Sequence, residues 1–272
     1  MGSGNLMPSK ESDNQQEQDL PARESPMIPI PAGSFWMGTS EQQIKHLLER
    51  EDWAVEWFNS DLFLVEQPQH PLVLPAYEIA RYPVTNNDYT VFIYNTGYRV
   101  PRTWNGFHCS EGLDDHPVTG VSKIDADAYI KWLNTATGIN YRLPTEAEWE
   151  KAARGIDQRI YPWSDNFDPW RCNTIESGKK QTTPVGLYSP GGDSHYNVAD
   201  MVGNVWEWTK SMMQPYPYHP DDGREIPAPG KKLVVRGGAW YYSRALARVS
   251  SREGFLPDYV SPALGFRLAR SL

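Results

Sequence analysis

Tyr141-Arg142-Leu143-Pro144-Thr145-Glu146-Ala147-Glu148-Trp149-Glu150-Lys151-Ala152-Ala153-Arg154-Gly155 carries the strongest local signals in the chain. Thr145 is a good N-cap, because its hydroxyl can accept one of the orphan amide protons of a first helical turn. Glu146 and Glu148 oppose the positive end of the helix dipole and Gly155 supplies the C-cap, so the spacing predicts a helix of about ten residues. Three related stretches lie around it. Ile30-Pro31-Ala32-Gly33-Ser34-Phe35-Trp36-Met37-Gly38 precedes it, and Met201-Val202-Gly203-Asn204-Val205-Trp206-Glu207-Trp208 follows. The last is Val235-Arg236-Gly237-Gly238-Ala239-Trp240 with its later companion Gly265-Phe266-Arg267-Leu268. Each sets turn glycines beside large aromatics, with Trp149, Trp206 and Trp208 as expected core anchors.

The composition agrees with such a frame. The chain has 272 residues, long enough to bury a core without disulfide or metal staples. Its 21 Gly and 23 Pro make about a sixth of the residues against a usual ~12%. With 11 Trp and 15 Tyr, this describes a loop-rich globular fold pinned by buried aromatics. A net charge of −8 argues against a nucleic-acid partner, whose footprint would be basic. No stretch approaches the roughly 18–20 apolar residues of a membrane helix, so no membrane insertion is expected. The polar N-terminus carries no apolar signal region, which points to the cytoplasm. Cys109 and Cys172 form no CxxC pattern, and spacing alone leaves open whether they pair.

Residues 1–26 are rich in Ser, Gln, Asp, Glu and Pro and read as a disordered tail, with one domain over residues 27–272. Short strands are expected around the Pro31-Ala32-Gly33 turn, and Ser40 caps a single helix running from Glu41 to Phe58. His70 to Arg81 alternates as one strand. Thr85 caps a helix through Phe92, and Ser122 or Asp125 starts another through Trp132. Residues 156–196 lack periodicity and read as a long irregular region, of the kind that is often functional or held by ions. From Leu233 the chain reads as a strand, an irregular excursion and a final strand at Gly265–Ala269.

The four motifs, in this order, resemble the formylglycine-generating enzyme (sulfatase-modifying factor) family over about residues 27–270. The resemblance implies an α+β domain with a C-type-lectin-like core, irregular and loop-rich. In the catalytic members, a cysteine pair shortly beyond the Gly-Gly-Ser/Ala-aromatic motif binds copper and activates oxygen to oxidise a substrate cysteine to formylglycine. The corresponding stretch here, Trp240-Tyr241-Tyr242-Ser243-Arg244-Ala245-Leu246-Ala247-Arg248, has no cysteine, and none follows Cys172. Thiolates are the soft ligands that select Cu(I), so formylglycine synthesis and a catalytic cofactor are not expected. Related iron-dependent sulfoxide synthases take their histidines from a separate domain. The six histidines here show no HxxxH or HxH spacing.

A second resemblance concerns the end of the chain. Variable proteins of diversity-generating retroelements display a hypervariable ligand-binding surface between an Arg-Gly-Gly-Ser/Ala-Trp entry and a Gly-Phe-Arg exit, here about residues 240–264. The candidate ligand-binding residues are Trp240, Tyr241, Tyr242, Ser243, Ser251, Gly254, Phe255, Leu256, Tyr259 and Ser261. Tyr, Ser and Gly with a few large aromatics is also how binding surfaces gain contact area at low entropic cost. Packing competes with binding as the role of these aromatics, and Arg236, Arg248, Arg252 and Arg267 read as structural. Two loops resemble calcium loops of the family: one with Asn173 and Glu176, one with Asp200, Asn204 and Glu207. Hard oxygen ligands suit a structural Ca²⁺, while the competing role of Asn204 and Glu207 is to cap a turn and anchor tryptophans. The leading expectation is a non-catalytic protein binding a protein or small-molecule ligand. Its rivals are an oxygen- or metal-dependent enzyme using His108, Cys109 or His195, and a purely structural interaction domain.

Overall fold

The computed structural model describes residues 25–272, so the tail expected over residues 1–26 lies, but for its last two residues, outside the described residues. Helices α1 (Glu41–Arg50), α3 (Asn86–Thr96), α4 (Lys123–Thr137) and α5 (Glu146–Arg154) each start at a reciprocal capping box. Ser40 with Gln43, Thr85 with Asp88, Ser122 with Asp125 and Thr145 with Glu148 satisfy each other's orphan amides. Gly97 (φ 65°) and Gly138 (φ 72°) end α3 and α4 in the left-handed conformation that lacks a Cβ penalty.

Two long elements expected from the sequence are each divided. The helix from Glu41 to Phe58 breaks at Glu51, which is extended (φ −123°), and resumes as α2 (Asp52–Asn59). Glu51 is held there by tertiary bonds: its Oε2 accepts from the Trp53 indole at 3.0 Å and from Arg244 at 2.6 Å. The strand from His70 to Arg81 is β3 (His70–Leu74) and β4 (Tyr77–Ala80), parted at Pro75, which has no N–H for a ladder. They serve different sheets. β2 (Gly33–Met37) pairs antiparallel with β3, whereas β1 (Met27–Ile30) pairs with β4, which also pairs with β9 (Ala269–Ser271).

The third sheet has the order β7-β6-β5-β8, from β7 (Arg252–Phe255), β6 (Leu233–Arg236), β5 (Trp206–Met212) and β8 (Leu264–Phe266). β5 and β8 run parallel; the other pairs are antiparallel. β7 lies inside the segment expected to be an irregular excursion, because Arg252-Glu253-Gly254-Phe255 gains its ladder only from β6. Residues 156–196 are irregular as expected, with a single 3₁₀ turn at Ile175–Ser177.

At the centre lies α5, all nine of whose residues are buried although five are charged. Only Glu148 acts at the helix start as the sequence suggests, closing the capping box and a fork with Arg142 at 2.6 and 2.7 Å. Glu146 instead points inward, where Arg252 donates at 2.7 Å and the Tyr216 hydroxyl at 3.1 Å. Glu150 is shared by Arg236, Arg154 (2.9 Å) and the Gly38 amide (2.8 Å). Lys151 donates to the carbonyls of Pro31 at 2.7 Å and Gly33 at 3.0 Å. Trp149 donates to Glu207 at 2.8 Å, and Arg267 grips the same carboxylate at 2.6 and 2.7 Å. A separate pair, Arg248 on Glu66 at 2.6 and 2.8 Å, is boxed by Trp53, Trp57 and Phe63.

Removing one partner of such a pair strands a buried charge. Arg267→Leu is therefore expected to cost about 3–5 kcal/mol in urea unfolding, with Glu207→Gln plus Arg267→Leu recovering part of the loss. Burial pushes the Glu66 carboxyl up, but the Arg248 charge and hydrogen bonds outweigh it and hold the group below its ordinary value. A depressed carboxyl adds stability above its unfolded-state pKa and loses it as pH falls. Stability should decline on acidification below about pH 4, and Glu66→Gln should flatten that decline in pH-dependent melts.

Candidate ligand surface

Gly237 and Gly238 launch the C-terminal segment from β6 toward the surface. Gly238 has φ 71°, and a Cβ there would lie 2.7 Å from the Leu246 carbonyl, so only glycine lets the two backbones approach. The Trp240 amide is fixed to Asn204 O at 3.1 Å and the Tyr242 carbonyl receives the Ile175 amide at 3.0 Å. On this base Trp240, Tyr241 and Tyr242 form a half-buried run, with ring centroids 4.9 and 4.5 Å apart. Tyr242 also meets the buried Trp206 edge-on at 6.0 Å, and the Tyr241 hydroxyl lies 3.1 Å from Ser261 Oγ.

A second group adjoins the first. Phe255 and Tyr259 stack at 4.3 Å and 15°, beside the exposed Leu256. Burial first, then the hydrogen bond and charge of Tyr241 and the charges of Tyr259 and Glu253, raise the Tyr242 phenol. Phe255, Leu256 and Tyr259 line a cleft of about 780 Å³ that Arg102 and Lys232 also enter. Arg102 comes from a segment far away in sequence and Lys232 directly precedes β6; no local pattern marks either. Tyr259 (42% exposed) and Leu256 (46%) leave apolar area free at the mouth. Ser243 is exposed as well.

Two residues expected at this surface lie beneath it. Ser251 is fully buried between Arg248 and Arg252, with its amide bonded to Arg248 O at 3.0 Å. Gly254 is buried opposite Val234 in the ladder, where a Cβ would meet Met213 at 3.1 Å. In β7 the exposed side chain is that of Glu253, while Arg252 and Gly254 pack inward.

The acidic and amide residues of the two loops divide differently from the expectation. Asn204 and Asn173 clasp one another: Asn173 Nδ2 donates to Asn204 Oδ1 at 3.2 Å, and that oxygen also accepts the Thr183 amide at 2.9 Å. Asn173 Oδ1 accepts from Ser177, so these side chains are spent tying the irregular region together. Glu176 accepts the Arg244 amide at 2.9 Å and stands apart. Glu207 is spent on the Trp149 indole and the Arg267 guanidinium. Asp200 Oδ2 accepts the Gly186 amide at 2.6 Å, the Asp200 carbonyl accepts from Arg267 at 3.4 Å, and three positive-φ residues, Asp200, Gly203 and Asn204, wind the loop tightly. Burial pushes the Asp200 carboxyl up to about 6, against the lowering by the Gly186 amide and the Arg267 charge. Among the described residues no group of three or more His, Cys, Asp or Glu gathers as a metal-binding cluster.

His108 and Cys109 line a small cavity of about 160 Å³ with Tyr94 and Asp114. The Tyr94 hydroxyl meets His108 Nε2 at 2.6 Å, and the Cys109 thiol donates to Asp114 at 3.7 Å. Burial first, and then Asp114, push this thiol up, away from the thiolate that nucleophilic or metal chemistry requires. His195 packs instead against Tyr196 and over Gly155. Cys109 and Cys172 are both free thiols.

The sulfatase-modifying factor enzyme 1-like domain model matches residues 11–272. The chain belongs to this family. It is 29% identical to the formylglycine-generating enzyme of Bos taurus over 92% of the chain and 75% of that enzyme. It spans about half the length of other curated relatives, 55% and 53% in two of them. PvdO from Pseudomonas aeruginosa superposes with a TM-score of 0.69 at 26% identity, covering 90% of this chain and 94% of PvdO. Treponema denticola variable protein 1 gives the same TM-score at 21% identity, over 90% and 95% of the two chains. The domain thus has the α+β, C-type-lectin-like fold of the formylglycine-generating enzymes, shared with a variable protein. No helix among the described residues is long and apolar enough to cross a membrane.

Proposed function

We propose that this domain is a non-catalytic binding module that engages a protein or small-molecule ligand through its C-terminal segment, as variable proteins of diversity-generating retroelements do. The observation that carries the reading is the half-exposed aromatic surface of Trp240, Tyr241, Tyr242, Phe255 and Tyr259, with Leu256, raised on a buried ion-paired frame. Rigid aromatics held at fixed spacing present large contact area with little entropy left to lose. The absence of any cysteine after Cys172 supports a binding role over copper chemistry. Ser243 and Ser261 add adaptable hydrogen-bonding groups at the edge of the surface, and the neighbouring cleft carries both signs of charge, Arg102 and Lys232 with Glu253 and Asp258. The proposed site is therefore Trp240, Tyr241, Tyr242, Ser243, Phe255, Leu256, Tyr259 and Ser261.

The reading has a genetic test. The DNA following the coding sequence should carry a near-copy of the bases for residues 240–264, differing at adenines, with a reverse-transcriptase gene nearby. Absence of both removes the retroelement assignment, and sequence variants from related isolates should then show no concentration of changes at Tyr241, Tyr242 and Tyr259.

We further propose a structural Ca²⁺ at the Asp200–Asn204 loop, with the Asp200 carboxylate as its charged ligand. Melting temperature should rise on adding Ca²⁺ to chelator-treated protein and remain unchanged in Asp200→Ala. An identical melt with calcium and with chelator in the parent protein rejects the site.

A further inference from the structure

The stretch from Val55 to Val65 distributes its side chains against the usual rule. Val55, Phe58, Leu62, Leu64 and Val65 are each 45–60% exposed, five large apolar residues within eleven positions, while elsewhere among the described residues such side chains are scattered singly or in pairs. On α2, Ala54 is buried and Trp53 and Trp57 turn inward onto Phe63, with ring centroids 6.2 and 5.6 Å away, which leaves Val55 and Phe58 on the outer side. The 3₁₀ turn that follows, Leu62–Glu66, is inverted. With three residues per turn, positions i and i+3 share a row, and here the row of Phe63 and Glu66 is buried while Leu62, Leu64 and Val65 face outward. Its one charged side chain is inside and its three aliphatic ones are outside.

Buried bonds hold the turn in this orientation. Arg248 forks onto Glu66 at 2.6 and 2.8 Å, Thr39 donates to it at 2.9 Å, and Arg252 donates to the Val65 carbonyl at 3.1 Å. Rotating the aliphatic side chains inward would pull Glu66 out and strand the buried Arg248. The apolar face is therefore fixed outward. Apolar residues exposed together in this way mark an interaction surface, whereas single ones do not.

The border of the face carries one sign of charge. From Glu51 to Gln69 the chain has five acidic residues and no Lys or Arg. Glu51 and Asp52 share Arg244, and Glu66 holds Arg248, but Glu56 and Asp61 are exposed and enter no salt bridge among the described residues. Asp52, although paired, keeps 88% of its side chain in solvent. A second copy of this chain would bring two such acidic borders together across an isologous contact. Residues 1–24, with five acidic and two basic residues, carry the same sign as the border.

We propose that this face docks a basic amphipathic helix of a partner protein, whose apolar side covers Val55, Phe58, Leu62, Leu64 and Val65 and whose Lys or Arg side chains meet Asp52, Glu56 and Asp61. Apolar contact supplies the affinity, and the acidic border selects a basic partner over an acidic one. This assignment is independent of the C-terminal aromatic surface and stands or falls without it.

Fluorescence anisotropy with the full chain tests the proposal, using two labelled helical peptides of one amphipathic pattern, the first built of Leu and Lys and the second of Leu and Glu. The Leu–Lys peptide should bind saturably, and at least about tenfold more tightly than the Leu–Glu peptide. Phe58→Ser combined with Leu64→Ser should weaken its binding at least about tenfold. Glu56→Gln combined with Asp61→Asn should shrink its preference over the Leu–Glu peptide, and Ile124→Ser, at a comparably exposed apolar residue of α4, should change neither. If the Phe58 and Leu64 double variant does not melt cooperatively, the Glu56 and Asp61 pair decides. Absence of saturable Leu–Lys binding, equal affinity for the two peptides, or binding that the Phe58 and Leu64 double variant leaves intact overturns the assignment. Dimerisation of the parent chain in sedimentation velocity that the same double variant abolishes overturns it as well.

Discussion

Buried charge is tolerated in a protein interior only when it is paired and hydrogen-bonded on every side, and α5 turns that requirement into architecture. Its glutamates cannot remain inside unless arginines from distant segments reach them. Glu150 requires Arg236 of β6 and the Gly38 amide after β2; Glu146 requires Arg252 of β7. Trp149 leads to Glu207 of β5 and thence to Arg267 after β8. The segments that make the sequence recognisable are thus the members of one ion-paired lattice. Such lattices contribute little net stability compared with an apolar core, but they penalise every misassembled alternative in which one partner is missing.

The lattice also explains how a loop-rich chain can hold a surface still. Arg236 donates to the carbonyls of Val249 and Ser250, and Arg248 to that of Ala245, so the returning backbone between Trp240 and β7 is hung from buried guanidinium groups. The α1–α2 hairpin closes over the same segment, with Arg244 on Glu51 and Arg248 boxed by Trp53, Trp57 and Phe63. The aromatic face therefore rests on fixed points although few of its own residues lie in strands. That is the usual division between a rigid scaffold and the loops that carry binding.

What could be read along the chain was what local chemistry enforces. The helix starts at Ser40, Thr85, Ser122 and Thr145 are legible because a cap and the amide it satisfies sit three residues apart, whereas the reciprocal half of each capping box shows only in the structure. The breaks at Glu51 and Pro75 were not read, since Glu51 leaves the helix for bonds to Trp53 and Arg244, and the two strands flanking Pro75 choose different partners. The same limit applies to the surface. Its aromatics stood out in sequence, but Ser251 and Gly254 turned inward with β7, and Arg102 and Lys232 arrived unannounced.

By itself, then, the sequence determined the family frame, the helix starts, the structural character of four arginines and the missing cysteine pair. All of these depend on residue identity or on spacing within a turn. Only the tertiary structure decided which carboxylate each arginine meets, that Glu146 and Glu150 face inward, and which aromatics remain exposed. Those outcomes depend on pairing between segments separated by tens to hundreds of positions, such as Arg267 with Glu207 or Arg248 with Glu66. No periodicity encodes such pairing; the cost of burying a charge alone enforces it.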